Sequence, residues 1–469
     1  MKTDIDRSAF EQIERELDLF DLKIQDVPIW ERIRVDLFKD LREKSGLNQS
    51  RPKPKKNFVT GIKAGKLWMK NLFHKSPFQA PSAEIMFVGH PRRQLESNQT
   101  WWDIYCDPIH NQCNYDYVHF EHSYYFSHKT PAQTENLYYL DLIGVPGIIA
   151  SQIHFPSVPL DKNHRHLLEE TRTRIYQMYD IDVDVISYVK EELCERKTTY
   201  KLYKKLLKKI NPQVVIIIVS YGRQMETLIE VCKSENIPVV ELQHGIIDSD
   251  HLGYSYPEDI NKHTFPDYVF TFGDFWGDNI NYPIKKERVI SIGYPYLEQK
   301  LEELEINTKK HQIVFISQGP VGKELSKFAV DVSEKLDDKY QIIYKLHPNE
   351  YDWWQKSYPW LKRSQMTVID DSNRSLYSLF TESGIQVGVY STAIYEGINF
   401  GLDTYIIDLP GSDRLDPLIE TGIAKKIATP EEFIKQCRQS NNGRSFDKEY
   451  FFKSDPISNF KRELNHIVQ

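Results

Sequence analysis

Cysteine is scarce and scattered: five residues in a chain of 469 (Cys106, Cys113, Cys194, Cys232 and Cys437), with no C-x-x-C pair. That pattern excludes a disulfide framework and fits no zinc-ligand spacing, so no metal is expected. Long apolar runs are missing too. The longest, residues 214–219, has six members, against about 20 for a membrane-spanning helix, and mean hydropathy is −0.54. The opening Met1-Lys2-Thr3-Asp4-Ile5-Asp6 has acids and no apolar stretch, so no secretory signal is expected and the chain reads as cytoplasmic. No Gly-x-Gly-x-x-Gly follows an early strand, and Walker Gly-x4-Gly-Lys-Ser/Thr, His-Glu-x-x-His and Gly-x-Ser-x-Gly are absent. Dehydrogenase and P-loop kinase readings lose their main support, and neither zinc-protease nor serine-hydrolase signatures replace them.

What is present is a globular composition, 40% hydrophobic, 13% aromatic and 27% charged, long enough for two or three domains. Net charge is −7 but uneven: residues 44–82 hold nine Lys/Arg and no acid. The rest is therefore strongly acidic, which argues against nucleic acid and leaves one basic stretch for a local anionic partner. Within it, residues 57–75 mix lysines with Leu67, Trp68, Leu72 and Phe73. They suit either peripheral contact with an anionic membrane surface or a solvated helix with one docked face.

Along the chain, Phe10, Ile13, Leu17 and Phe20 have helical spacing, as do residues 29–41. A breaker-rich linker at 48–54 precedes a second apolar pattern at 58–73. From residue 84 short apolar strands alternate with helices: strands at 85–90, 214–219 and 239–242, then a second series at 312–317, 341–346, 386–390 and 404–408. Such alternation predicts parallel sheets with crossover helices. The expected fold is α/β, two doubly wound Rossmann-like domains facing a cleft behind an extra N-terminal helical segment. The expected bounds are 1–80, 81–300 (acceptor side) and 301–469 (nucleotide side). Residues 184–209 read as a long charged helix, while the aromatic-rich stretch from Trp101 to about Pro159 has no assignable pattern and residues 100–200 have no assigned role.

Ligands of open α/β sheets bind beyond the carboxyl ends of the strands, which selects His90, Ser220-Tyr221-Gly222, Gln243-His244-Gly245, Ser317-Gln318-Gly319, His347-Pro348 and Ser391-Thr392. His244 can take a proton near neutral pH, or be a satisfied loop histidine beside a turn glycine. His347 can hydrogen-bond a phosphate oxygen, or cap a strand-end turn. Ser391 or Thr392 would cap a helix whose amino end suits a phosphate, with Glu396 one turn on to meet ribose hydroxyls. A plain capping box is the alternative there, though Thr392 and Glu396 are four residues apart rather than three. Asp182-x-Asp184 is a metal-binding pair or, better supported, a pair of acids at a helix start.

Together Gln243-His244-Gly245, Phe270-Thr271-Phe272-Gly273, Ile292-Gly293-Tyr294-Pro295, Lys345-Leu346-His347-Pro348 and the run from Ser391 to Gly397 resemble the bacterial surface-polysaccharide transferases of the two-Rossmann-domain type (GT-B). The capsule-polysaccharide enzymes and teichoic-acid glycerophosphotransferases are the most similar, over about residues 210–410. The resemblance implies His244 as the acceptor-side catalytic group, flanked by Gln243 and Gly245, and His347 on the donor phosphate. Gln318, Gly319, Lys345, Ser391, Thr392 and Glu396 would hold the donor. It implies a nucleotide-sugar or CDP-polyol donor, a polysaccharide or lipid-linked glycan acceptor, and chemistry needing no metal or other cofactor. A sugar-nucleotide 2-epimerase of the same architecture, or a non-catalytic polysaccharide assembly protein, are the competing readings.

Overall fold

The computed structural model describes residues 5–46, 58–96, 98–154, 157–248, 251–257, 260–305, 310–439 and 447–468, with backbone alone for 58–61, 154 and 310. The expected linker at 48–54 and four of the basic residues (Arg51, Lys53, Lys55, Lys56) lie outside them. Two compact units form, one from residues up to 295 together with the closing 453–469, the other from 296–452.

The first unit is built on strands β1 (Ile85–Val88), β2 (Tyr117–Glu121), β3 (Leu137–Tyr139), β4 (Val214–Ile217), β5 (Val239–Leu242), β6 (Tyr268–Thr271) and β7 (Val289–Ser291). All pair in parallel, in the spatial order β3-β2-β1-β4-β5-β6-β7. Successive side chains of a strand point to opposite faces, and this sheet is apolar on both. Met86 and Val88 enter one core with Val118, Val215 and Ile217, while Ile85 and Phe87 enter another with Val214, Ile216 and Leu242. Burial on both sides is why these strands read as continuous apolar runs.

The second unit repeats the plan with β8 (Lys310–Ile316), β9 (Gln341–Lys345), β10 (Thr367–Ile369), β11 (Ser383–Gly388), β12 (Asp403–Ile407) and β13 (Ala424–Ile427). Its parallel order is β10-β9-β8-β11-β12-β13. Counted along each unit, both sheets begin 3-2-1-4-5-6, the doubly wound order whose direction reverses beside the first strand. The α/β expectation of two Rossmann-like sheets describes the molecule.

Two features depart from the expected bounds. The amino-terminal helices Arg7–Glu16 and Trp30–Lys44 are not a separate segment. Phe10, Ile33 and Leu37 share a core with Leu168, Ile175 and Val189 of the helices Lys162–Tyr179 and Val185–Ile210, which places much of the unmatched stretch. Buried ion pairs lock this layer to the sheet's own helices. Arg32 meets Glu192 at 2.5 Å and donates to Thr227 at 2.7 Å, and Arg34 clasps Glu14 at 2.7 and 2.9 Å. The closing helix Pro456–Val468, expected in the second domain, belongs to the first unit. Its Phe460 and Leu464 are fully buried beside Ile216, Phe270 and Ile292.

Phe460→Ala should therefore cost about 3–5 kcal/mol, and only in the first unit. Hydrogen exchange should show lost protection in β4–β6 with β8–β12 unchanged; an equal loss in β8–β12 would refute the assignment.

Candidate functional site

In the first unit the strand order reverses between β1 and β4, and the loops beyond them and beyond β5 carry a cluster of rings. His90 follows β1, and its backbone N–H donates to Asp103 Oδ2 at 2.9 Å. His244 lies beyond β5, its ring stacked 6.3 Å from that of His90 at 14°. Tyr105 donates to the His244 carbonyl at 2.6 Å, so the loop between β1 and β2 fixes the backbone at the histidine. Gln243 pins the same turn: its amide donates to the Gly245 carbonyl at 2.8 Å and its carbonyl accepts from Phe272 N–H at 2.7 Å.

Behind His244 stands a carboxylate that sequence reasoning missed. Glu241 is fully buried inside the otherwise apolar Val239–Leu242. Tyr254 donates to its Oε1, which also accepts from Ser220 N–H at 3.1 Å. The same Tyr254 hydroxyl lies 3.3 Å from His244 Nδ1. Glu241, Tyr254 and His244 thus form a hydrogen-bonded line from the strand interior to the loop. Burial lifts Glu241 to about 7 against the pull of Tyr254 and Ser220. Burial, then the charges of Arg92 and Lys39, hold His244 down at about 4; burial, then His244 and Arg92, hold His90 at about 3. Burial holds both imidazoles neutral at pH 7; His90 Nδ1 already accepts from Arg92 N–H at 3.2 Å, and His244 keeps one nitrogen lone pair. An acid inside an apolar strand two residues before the dipeptide Gln243-His244 was the available signal for Glu241. Nothing in the sequence pointed to Tyr254.

In the second unit the order reverses between β8 and β11. Gln318, after β8, accepts from the Tyr390 N–H beyond β11 at 3.1 Å, tying the two loops together, with Gly319 half-exposed beside it. Ser391 caps the helix Thr392–Asn399, its Oγ accepting from Ala393 N–H at 3.3 Å. The helix amino end therefore opens at the strand ends, where backbone N–H groups and the helix dipole favour an anion. Glu396, one turn in, is raised to about 7 by burial, with a hydrogen bond from Tyr377 opposing.

The two β9 candidates differ. His347 is exposed at the start of a 3-10 turn, where its Nδ1 accepts from Asn349 N–H at 3.1 Å while Glu350 reaches back to the His347 N–H at 2.8 Å. The capping box of this unit is here and not at Thr392. Lys345 is buried, and its ammonium is already spent on the Asp371 carbonyl (2.5 Å) and Tyr351 (2.9 Å). Burial drops it to about 8. It props the loop beyond β10.

Asp184 caps the helix Val185–Ile210 and Asp182 pairs with Arg172 at 2.7 Å, the structural reading of that pair. The fold also gathers Cys106, His110 and His119, whose ligand-type atoms lie within 4.8 Å of one another, though the facing nitrogens of the two histidines already meet at 3.0 Å.

No protein-family profile and no curated protein sequence matches the chain. Among solved structures it is similar to the UDP-GlcNAc 2-epimerase from Methanocaldococcus jannaschii (12% identity over 81% of this chain and 99% of that one, TM-score 0.49). It is also similar to a Neisseria meningitidis UDP-GlcNAc 2-epimerase bound to UDP-GlcNAc (12%, 81% and 99%, TM-score 0.47). A third is the wall teichoic acid polymerase TagF (11%, 88% and 92%, TM-score 0.41).

The depressed histidines make a pH prediction. His244 titrates near 4 in the folded chain and near 6.5 unfolded, so as pH falls below about 6.5 the unfolded state takes up the proton first and stability drops until about pH 4. Between pH 7.5 and 4.5 the urea midpoint of His244→Gln should gain on that of the wild-type chain, because only the wild type carries the depressed imidazole. An unchanged gap between the two would contradict a buried neutral His244.

Proposed function

We propose that this protein is a metal-independent transferase that moves a sugar or polyol phosphate from a nucleotide-activated donor to a surface-polysaccharide or lipid-linked glycan acceptor. The observation that carries the reading is the line Glu241–Tyr254–His244, which ends in a neutral imidazole at the carboxyl end of a doubly wound sheet. A group of that kind accepts the proton of an attacking hydroxyl, and the carboxylate behind it stabilises the imidazolium that results. In the second unit the Ser391-capped helix end receives the donor phosphate, and Glu396 receives the ribose. His347, on the exposed turn beyond β9, neutralises charge on the departing nucleotide.

A bilayer-borne acceptor agrees with the helix Phe58–Phe73. Lys63, Lys66 and Lys70 are exposed along one of its faces, and Met69 and Phe73 stand 57% and 88% exposed immediately beside them. The helix packs on Asp141–His154, itself carrying Ile149 and Ile153 at 47% and 64% exposure. Apolar surface ringed by lysines is the chemistry of a peripheral contact with anionic lipid.

Calorimetric titration with CMP, CDP, UDP and GDP should show one nucleotide bound, with affinity reduced at least ~10-fold in Glu396→Ala and His347→Ala, since a lost charge-assisted contact is worth about that. His244→Gln should keep that affinity and lose about 10²–10⁴ in turnover, the usual worth of a general base. Binding of none of the four would overturn the reading. Interconversion of the donor sugar with no acceptor present would replace it by an epimerase.

A second test addresses the membrane. The full chain should float with vesicles containing anionic phospholipid, and exchanging Lys63, Lys66 and Lys70 for glutamine should release it. Flotation unaffected by the exchange would refute the contact.

A further inference from the structure

We propose that a groove between three helices of the first unit holds one hydrocarbon chain of a phosphate-bearing membrane lipid, with Lys197 and Lys201 on its head group. The inference rests on the membrane contact of the proposed function and names the lipid chemistry that contact takes. The groove has a volume of about 880 Å³, toward the large end of ligand pockets at roughly 300–1,000 Å³. Three walls shape it. Trp68 and Leu72 come from the helix Phe58–Phe73, Pro146 and Ala150 from Asp141–His154, and Cys194 and Thr198 from Val185–Ile210. Each pair is four residues apart and so shares one helix face.

Packing explains why space is left there. Gly147 lets the helix Asp141–His154 lie close on Val185–Ile210: a Cβ at that position would stand 2.5 Å from Thr199 Cγ2. On the flank of this contact turned toward Phe58–Phe73, Pro146, Ala150, Cys194 and Thr198 are all short, and they leave unfilled the space that Trp68 and Leu72 face. The chain to fill it has a source at hand. Met69 and Phe73 are exposed on one wall's helix, and Ile149 and Ile153 on another's. The surface proposed to meet the bilayer is thus borne by the same helices that wall the groove.

Charge sets the head group. Lys197 and Lys201 are exposed on the groove wall, and among the described residues no carboxylate lines it. The two ammonium groups are four residues apart, where like charges repel, and neither has an acid three or four residues away on its helix. Neither enters an ion pair among the described residues, whereas Arg196 and Lys204, on another flank of that helix, are paired with Glu230 and Glu235. The row continues to Lys205, whose Nζ lies 5.1 Å from the ring of Phe78 on the groove wall. A phosphate at this rim relieves the repulsion while its chain covers the apolar walls, the two-part chemistry of an anionic lipid.

The test is calorimetric titration of the full chain, below micellar concentrations, with dodecyl phosphate, an uncharged dodecyl ethylene-glycol ether and inorganic phosphate. Dodecyl phosphate should bind, the ether at least ~10-fold more weakly, since a charge-assisted contact is worth about that, and inorganic phosphate not at all. Exchanging Lys197 and Lys201 together for glutamine should bring dodecyl phosphate down to the affinity of the ether. Ala150→Trp, which fills the groove, should lose both; if that variant does not keep the wild-type thermal midpoint, the lysine exchange decides. No binding of dodecyl phosphate (the result if the chain fills its own groove), equal binding of the two dodecyl probes, or undiminished binding in the folded variants would each overturn the site. Flotation on anionic vesicles is read on the same samples. A wild-type chain that floats yet binds no dodecyl phosphate counts against the groove alone, and one that binds it without floating supports the groove and counts against the bilayer contact.

Discussion

Glu241 stands fully buried in the apolar strand Val239–Leu242, and a carboxylate in that position is costly unless its neighbours supply hydrogen bonds. Ser220 N–H, at the end of the adjacent strand, and the Tyr254 hydroxyl both supply Oε1, while Oε2 has no partner among the described residues. Tyr254 must therefore be brought to the strand end and kept there. The loop that carries it is clamped by the amino-terminal helices: Arg34 donates to the Leu252 carbonyl at 3.0 Å, and Arg7 to Ser255 Oγ at 2.9 Å. Arg34 is itself buried and held by Glu14. A chain of obligations thus runs from a carboxylate in the sheet to helices more than 200 residues earlier, which explains why those helices are part of the first unit.

The second unit solves a different problem with the same sheet. Its buried cation and carboxylate are spent on shape: Lys345 supports the Asp371 carbonyl, while Glu350 accepts from Ser317, Tyr358 and the His347 N–H. What reaches the strand ends is a capped helix and backbone, not a buried base. On the proposed reading the first unit supplies a proton acceptor and the second an anion cradle, a division of labour expected when attack and departure occur on different groups.

How much was legible follows from what each signal depends on. Strands such as Val214–Ile217 and Gln341–Lys345 announced themselves because burial on both faces demands uninterrupted apolar residues. The strand-end rule then picked out His244 and Ser391, since their places depend on local order alone. Tyr254 was invisible because its role depends on a loop folding back across the sheet and on Arg34 far away in sequence. Lys345 misled for the opposite reason: it has the right address, but its charge is consumed by a loop that only the tertiary fold brings near. The closing helix was misassigned because chain order suggested the nearer domain, whereas Phe460 and Leu464 fill a core beside Phe270 and Ile292.

The resting state of His244 looks at first like a poor choice for a base, since a pKa of about 4 describes a weak one. Its depression comes from burial and from the nearby charges of Arg92 and Lys39, and these oppose the imidazolium in the absence of any reacting group. On the proposed reading the proton arrives only as a hydroxyl attacks, and at that moment Glu241 is in line through Tyr254 to receive the charge. Burial raises Glu241 above the usual carboxylate range, against hydrogen bonds from Tyr254 and Ser220. Keeping the imidazole neutral beforehand and supported afterwards is the differential stabilisation that speeds a reaction, as opposed to one that merely binds.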